Sequence, residues 1–184
     1  PPPSSGTMHT KAVFQGSKGL QRIGCAVLRF NFRGVGRSEG TFDHGVGERG
    51  DFTAAVDFIA ARYPGLPIWA AGFSFGSWVA LEAGAVDPRV SVLIGIAPPW
   101  VFRGAVEGEL RTNYEWPNTL ASEKPKFFVQ GESDEICAVQ DMWAWYAKLH
   151  EPKELVVIDA ANHLFDGHTV EVGEALEELL GDYE

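Results

Sequence analysis

The stretch Ala70-Ala71-Gly72-Phe73-Ser74-Phe75-Gly76-Ser77-Trp78 decides the fold, because it joins an apolar run to a series of helix-forming residues through a short turn. It contains the pattern G-x-S-x-G, and glycines at positions 72 and 76 are expected to avoid collisions that a Cβ would make across so tight a turn. A serine in such a strand-turn-helix unit exposes its hydroxyl at the end of the strand. The pattern is weak by itself, so its meaning depends on the surrounding elements.

Strand-like and helical segments alternate on both sides of this turn. The predicted strands are residues 25–30, 66–71, 90–96, 126–130 and 154–159, which are short apolar runs typical of buried parallel strands. The predicted helices are residues 11–22, 48–63, 75–85, 138–150 and 170–180, and residues 98–125 are predicted to be a long loop. This order predicts an α/β fold with a doubly wound, mainly parallel sheet, helices on both faces and sites at the carboxyl ends of the strands.

Composition limits the function classes that the chain can serve. With 184 residues, of which 45% are hydrophobic, we expect a single domain spanning residues 1–184. The net charge of -10 argues against nucleic acid as a partner, since nucleic-acid binders concentrate Lys and Arg. No apolar run approaches the roughly 18 residues that span a bilayer, and no signal-peptide pattern follows Pro1. We therefore expect a cytoplasmic protein without a membrane partner, although a signal could precede Pro1.

The sequence provides no pattern that indicates a metal site. Cys25 and Cys137 are the two cysteines, and their positions match neither a metal-ligand spacing nor a disulfide framework. The polar residues His9, Asp43 and His44 are likewise not spaced as zinc ligands. We therefore expect no metal ion and no structural disulfide.

The glycine-rich loop at residues 34–40 also fails to indicate a nucleotide cofactor. Its spacing is G-x-G-x-x-x-G, one residue longer than the dinucleotide-binding pattern. A phosphate-binding loop must open a helix at once, and this loop is followed by further glycine-rich sequence instead. We expect no cofactor.

A chemically complete set of residues follows three of the predicted strands. A serine hydroxyl is a poor nucleophile at neutral pH, so it needs an imidazole that accepts its proton and a carboxylate that orients the imidazole. Ser74, Asp134 and His163 come in that chain order after separate predicted strands. The residues alone leave three alternatives open, namely Glu132, Glu135 and His168.

These stretches resemble the α/β-hydrolase superfamily, in particular small esterases without a lid domain and dienelactone-hydrolase-like members. The resembling segments are residues 28–40, 72–76, 131–136 and 162–165, and the similarity spans essentially the whole chain. The resemblance implies that Ser74 is the nucleophile, Asp134 the acid and His163 the base. The first strands of that family have no counterpart here, so we expect the sequence to be N-terminally truncated.

The same resemblance implies an oxyanion hole beside the nucleophile. One donor is the backbone N–H of the residue after the serine, which here is Phe75, and such a donor stabilises the transition state by about 3 kcal/mol. The second donor comes from a loop whose end is similar to residues 5–11. The prolines at positions 1–3 have no amide hydrogen, so the second donor is expected among residues 4–8 or before Pro1.

The expected activity is hydrolysis of small, short-acyl esters by a carboxylesterase-like serine hydrolase that forms an acyl-enzyme. Only residues 97–125 separate two predicted strands where many relatives insert a lid domain, so we expect no lid and an open cleft. Trp100 and Phe165 are expected at the edge of the substrate pocket, and Trp143 or Trp145 in the core. The alternatives are a thioesterase, lactonase or peptidase with the same triad, or a non-catalytic ligand-binding homologue. A monomer or homodimer is expected.

Overall fold

Four parallel strands form the sheet of the computed structural model, which describes residues 6–100 and 114–183 of the chain. The strands are β1 (Ile68–Phe73), β2 (Val90–Ile96), β3 (Lys126–Gly131) and β4 (Lys153–Ile158), and they pair in chain order. The helices are α1 (Lys11–Arg22), α2 (Val46–Arg62), α3 (Phe75–Val86), α4 (Pro117–Ala121), α5 (Val139–Tyr146) and α6 (Thr169–Leu180). The predicted α/β fold is confirmed.

Alternate residues of each strand enter two separate apolar clusters, one on each face of the sheet. Leu93 and Phe128 pack into a cluster with residues of α2, α3 and α5. Ile94 and Val129, each the next residue along its strand, pack into a second cluster with residues of α1 and α6. The two-residue period of a strand produces this division, and it places helices on both faces. Among the described residues, no helix has both the length and the apolar character that crossing a membrane requires.

Residues 25–30 form no strand in the structure, so that prediction is wrong. Cys25 and Val27 pack against the cluster that contains α1 and α6, whereas Ala26 and Leu28 are exposed. This alternating burial accounts for the strand-like sequence pattern. Alternating apolar residues thus indicate that one side of the segment is buried, and they do not show that it pairs with a strand. Within the described part of the chain, the segment pairs with no strand of the sheet.

In the described part of the predicted loop at residues 98–125, Pro117–Ala121 form the short helix α4. Its first residue is Pro117, which has no backbone N–H to satisfy. The carboxylate of Glu82, in α3, accepts hydrogen bonds from the backbone N–H and the hydroxyl of Thr119 at 2.8 and 2.6 Å. The helix is therefore held by a side chain distant in sequence, and local periodicity could not predict it. Residues 101–113 of this loop lie outside the described residues.

Helices α1 and α6 are in direct backbone contact. A Cβ added to Gly19 would lie only 2.2 Å from the carbonyl oxygen of Gly173, so the approach requires a residue without a side chain. Arg22 and Glu177 form an ion pair across the same interface, with 2.6 Å between Nε and Oε2. This contact fixes α1 against the helix that follows the last strand.

Gly19→Ala is expected to lower the free energy of unfolding by about 1–2 kcal/mol, because overpacking outweighs the gain in helix propensity. The matched control is Gly50→Ala in α2, where the nearest heavy atom to an added Cβ is 4.0 Å away. That variant is expected to be more stable by up to about 1 kcal/mol. Urea denaturation of both variants checks the pair, and equal shifts in the same direction would contradict the glycine contact.

Candidate active site

Ser74 lies in the turn between β1 and α3, in a backbone conformation that non-glycine residues seldom adopt. Its φ of 50° and ψ of -122° place it in the positive-φ region. A Cβ added to Gly72 would lie 2.2 Å from the carbonyl oxygen of Gly76, so the predicted need for glycine at position 72 is confirmed. The same expectation for Gly76 is wrong, since an added Cβ there would be 3.7 Å from Phe32, an ordinary contact.

A continuous chain of hydrogen bonds links Ser74, His163 and Asp134. The Oγ of Ser74 lies 2.9 Å from Nε2 of His163, and Nδ1 of His163 lies 2.8 Å from Oδ2 of Asp134. A carboxylate only accepts hydrogen bonds, so Nδ1 carries the imidazole proton and Nε2 is free to accept from the serine hydroxyl. His163 and Asp134 are 4% and 5% exposed, so the hydrogen bond between them is shielded from bulk water. The arrangement can move a proton from Ser74 to His163.

The carboxylate of Asp134 accepts four hydrogen bonds. Its Oδ1 accepts from the backbone N–H groups of Ile136 and Cys137 at 2.9 and 2.7 Å. Its Oδ2 accepts from Nε2 of Gln130 at 2.9 Å, in addition to the bond from His163. Because hydrogen-bond donors contact both oxygens, the plane of the carboxylate is held in one orientation. In that orientation Oδ2 faces Nδ1 of His163.

Gln130 is a site residue that the sequence analysis missed. It is fully buried near the end of β3, and its Nε2 also donates to the backbone carbonyl of Cys137 at 2.8 Å. The available signal is a polar amide directly after the apolar run at residues 127–129, because a buried polar side chain needs partners. Gln130 thus ties the end of β3 to the loop that carries Asp134.

The loops after β3 and β4 are bonded to each other. The carboxylate of Glu132 accepts from the backbone N–H of Ala160 at 2.9 Å, and that of Glu135 accepts from the backbone N–H of His163 at 3.2 Å. A Cβ added to Gly131, the last residue of β3, would lie 2.4 Å from the carbonyl oxygen of Ala161, so the end of β3 is in backbone contact with the loop after β4. These contacts set the distance between the histidine and the acid.

None of the three alternatives belongs to the hydrogen-bonded chain with Ser74. Glu132 and Glu135 bond backbone N–H groups of the histidine loop, as described above. His168 pairs instead with Glu171 on the first turn of α6, with 2.8 Å between Nδ1 and Oε1, and it is partly exposed. The structure therefore brings together the residues that the resemblance selected.

Helix α3 begins directly after Ser74. Phe75 is the first residue of α3, and the N–H groups of a first turn have no acceptor within the helix. Near residues 4–8, the N–H of Thr7 donates to Oγ1 of Thr10 at 3.1 Å, and the N–H of Met8 donates to Oδ1 of Asn31 at 2.7 Å. Both amides therefore already have acceptors, and residues 4 and 5 lie outside the described residues.

Trp100 and Phe165 lie in the core and not at the edge of a pocket, so their expected placement is wrong. Trp100 is 7% exposed and stacks on Trp145. Phe165 is fully buried and contacts the ring of Phe73. Removing these large apolar side chains from water stabilises the fold, and the buried positions of both leave little of their surface exposed. The core placement of Trp145 is confirmed, whereas Trp143 is 49% exposed.

Two solved structures that share this fold and about a third of its sequence are described as an α/β serine hydrolase or a homologue of one. An α/β serine hydrolase homologue from Coxiella burnetii is 34% identical, with a TM-score of 0.81 over 95% of this chain and 78% of that one. An α/β serine hydrolase without a lid from Xanthomonas campestris is also 34% identical, with a TM-score of 0.79 over 95% of this chain and 74% of that one. Fold and relatives thus define the class of this protein as α/β serine hydrolase.

Residues 6–116 match the serine aminopeptidase S33 family. The chain belongs to this family of α/β-hydrolases. An uncharacterised protein of Rickettsia prowazekii is 32% identical over 183 residues, covering 95% of this chain and 73% of the relative. The resemblance inferred from the motifs is therefore confirmed at the level of superfamily and subgroup.

Proposed function

We propose that this protein is a carboxylesterase-like hydrolase that cleaves short-acyl esters through an acyl-enzyme on Ser74. The observation that carries the proposal is the chain of hydrogen bonds from Ser74 through His163 to Asp134. In the acylation step, Oγ of Ser74 attacks the ester carbonyl while its proton passes to Nε2 of His163. The imidazolium then donates that proton to the leaving alcohol, and water releases the acyl group by the reverse sequence.

Two further groups support the charge that develops during the reaction. Asp134 holds the imidazole in the tautomer with the proton on Nδ1 and stabilises the imidazolium. The backbone N–H of Phe75 is the proposed oxyanion donor, because it lies beside Ser74 at the positive end of α3. The electrostatic stabilisation from one such donor is worth about 3 kcal/mol.

A preference for small substrates is proposed from the connection between β2 and β3. It comprises only residues 97–125, and the relative from Xanthomonas campestris is described as having no lid. We therefore propose one catalytic domain without a lid domain and an open approach to Ser74. An open site buries little of a long acyl chain, and each unburied methylene loses its hydrophobic contribution to binding.

The proposal is tested by kcat/KM on p-nitrophenyl esters of increasing acyl length. The expected result is a maximum at acetate or butyrate and a decline towards chains of about eight carbons. A value that rises steadily with chain length would contradict the short-acyl preference.

Aminopeptidase activity is the second candidate, because the matched family is described as a serine aminopeptidase. The same assay with amino-acid p-nitroanilides distinguishes the two activities. A kcat/KM higher on an anilide with a free amino group than on any ester would favour the peptidase. A kcat/KM that is higher on esters than on anilides, and that does not change when the amino group of the substrate is blocked, would favour the esterase.

A further inference from the structure

A cluster of three potential metal ligands lies behind the imidazole, on the side away from Ser74. It consists of Asp134, Cys137 and His163, which offer an oxygen, a sulfur and a nitrogen within 4.8 Å of one another. All three residues are buried, with exposed fractions of 5%, 1% and 4%. The fold assembles this cluster from the loops after β3 and β4, so the spacing of the cysteines in the sequence could not indicate it.

The cluster has the donor set and dimensions of a zinc site. Zinc binds imidazole nitrogen and carboxylate oxygen at about 2.0–2.2 Å and thiolate at about 2.3 Å, which puts ligand atoms roughly 3.3–3.8 Å apart around a tetrahedral ion. The Nδ1–Oδ2 pair, now 2.8 Å apart, has to widen to reach that spacing. One carboxylate and one thiolate neutralise a divalent charge, so the buried site carries no net charge when filled.

An unpartnered acceptor beside the cluster also points to a ligand. The Oε1 atom of Gln130 is buried and has no hydrogen-bond partner among the described residues. The Nε2 atom of the same amide donates to Oδ2 of Asp134 and to the carbonyl of Cys137, so the orphan oxygen belongs to the same buried group. A water in the fourth coordination position of a cation would supply the missing donor.

We propose that Asp134, Cys137 and His163 form an inhibitory site for a thiophilic divalent cation such as Zn²⁺ or Cd²⁺. Binding releases the proton of the Cys137 thiol to solvent, and the thiolate sulfur coordinates the cation. The cation also takes the lone pair at Nδ1 of His163, and the proton from Nδ1 moves to Nε2.

Inhibition follows from the tautomer, and this part of the inference rests on the proposed function of His163 as the base. An imidazole with its proton on Nε2 has no lone pair facing Ser74, so it cannot accept the hydroxyl proton. The site therefore switches off the nucleophile without entering the cleft, and removal of the cation restores the original tautomer.

Cadmium titration of the full chain tests the site without any activity measurement. The expected result is an ultraviolet thiolate-to-cadmium absorption band that saturates at one equivalent. The two cysteines provide matched variants, because Cys25→Ala should keep the band whereas Cys137→Ala and Cys137→Ser should lose it. Ser74→Ala should also keep the band, since Ser74 is not a ligand. A band that persists in both Cys137 variants would overturn the proposal.

Zinc inhibition of ester hydrolysis tests the consequence. Wild type and Cys25→Ala should be inhibited equally and recover with a chelator. The Cys137 variants, each measured relative to its own metal-free rate, should need at least about tenfold more zinc. Equal sensitivity of all variants would show that zinc acts from the cleft at Nε2, and would overturn the proposal. If no ester is hydrolysed but cadmium still binds through Cys137, the binding site stands and the proposed hydrolase function fails.

Discussion

Ser74→Ala is expected to lower kcat for short-chain p-nitrophenyl esters by roughly 10⁶-fold, because removing the nucleophile of a triad leaves only binding and electrostatic stabilisation. The imidazole of His163 would retain its bond to Asp134 but would have no hydroxyl to deprotonate. A fluorophosphonate probe should label the wild type on the peptide that contains Ser74 and leave the variant unlabelled. Burst kinetics in the wild type, absent from the variant, would report the acyl-enzyme.

The control for this variant is Ser91→Ala, which removes a hydroxyl from β2 whose one hydrogen bond among the described residues is to the carbonyl of Ile68 at 3.3 Å. It should keep wild-type kcat and wild-type labelling. Retention of more than about 1% of wild-type kcat by Ser74→Ala would exclude Ser74 as the nucleophile, since triad variants lose far more. Labelling of a different serine would lead to the same conclusion.

Asp134→Asn is expected to lower kcat by about 10⁴-fold with little change in the fold, because it reverses the imidazole tautomer. The oxygen of the new amide must face the backbone N–H groups of Ile136 and Cys137, which are donors. Its NH₂ group then occupies the former position of Oδ2, where it donates to Nδ1 of His163 and no longer accepts the hydrogen bond that Nε2 of Gln130 donates to Oδ2. The imidazole proton moves to Nε2, where it blocks the transfer from Ser74.

Proton NMR detects the change directly. The wild type should show a far-downfield resonance from the proton between Nδ1 of His163 and Asp134, and Asp134→Asn should lose it. The matched control is Asp166→Asn, on the same loop as His163, where the carboxylate accepts from Nδ2 of Asn162 at 3.1 Å. That variant should keep the resonance and wild-type kcat. If the kcat of Asp134→Asn lies within about tenfold of the wild-type value, another carboxylate must act as the acid of the triad.

Much of the fold could be predicted because burial on both faces of a parallel sheet leaves continuous apolar runs in the sequence. The strand at Val90–Ile96 and the helix at Lys11–Arg22 were predicted at their observed bounds. Residues 25–30 have the same kind of pattern without pairing, because half-burial alone produces it. Helix α4 depends on Glu82, a contact between distant segments that no local window includes.

The chain order of the candidate catalytic residues was predictable from the sequence, whereas the hydrogen bonds that hold them in place were not. Ser74, Asp134 and His163 each follow an apolar run, but choosing His163 over His168 required the resemblance as well as the residues. The donors that hold Asp134 come partly from Gln130, whose amide looks like any polar residue at a strand end until the loop folds over it. Trp100 was misplaced because aromatic residues near a site are equally suited to the core.

The contact between α1 and α6 can form only after the last helix has been synthesised. Arg22 meets Glu177, a residue made 155 positions later, so α1 emerges from the ribosome with its apolar face uncovered. His163 follows Ser74 by 89 positions, which at about 5–20 residues per second is a delay of roughly 5–20 s. A nascent chain therefore carries Ser74 long before the proposed base, and a fragment released before His163 is made is expected to be catalytically silent.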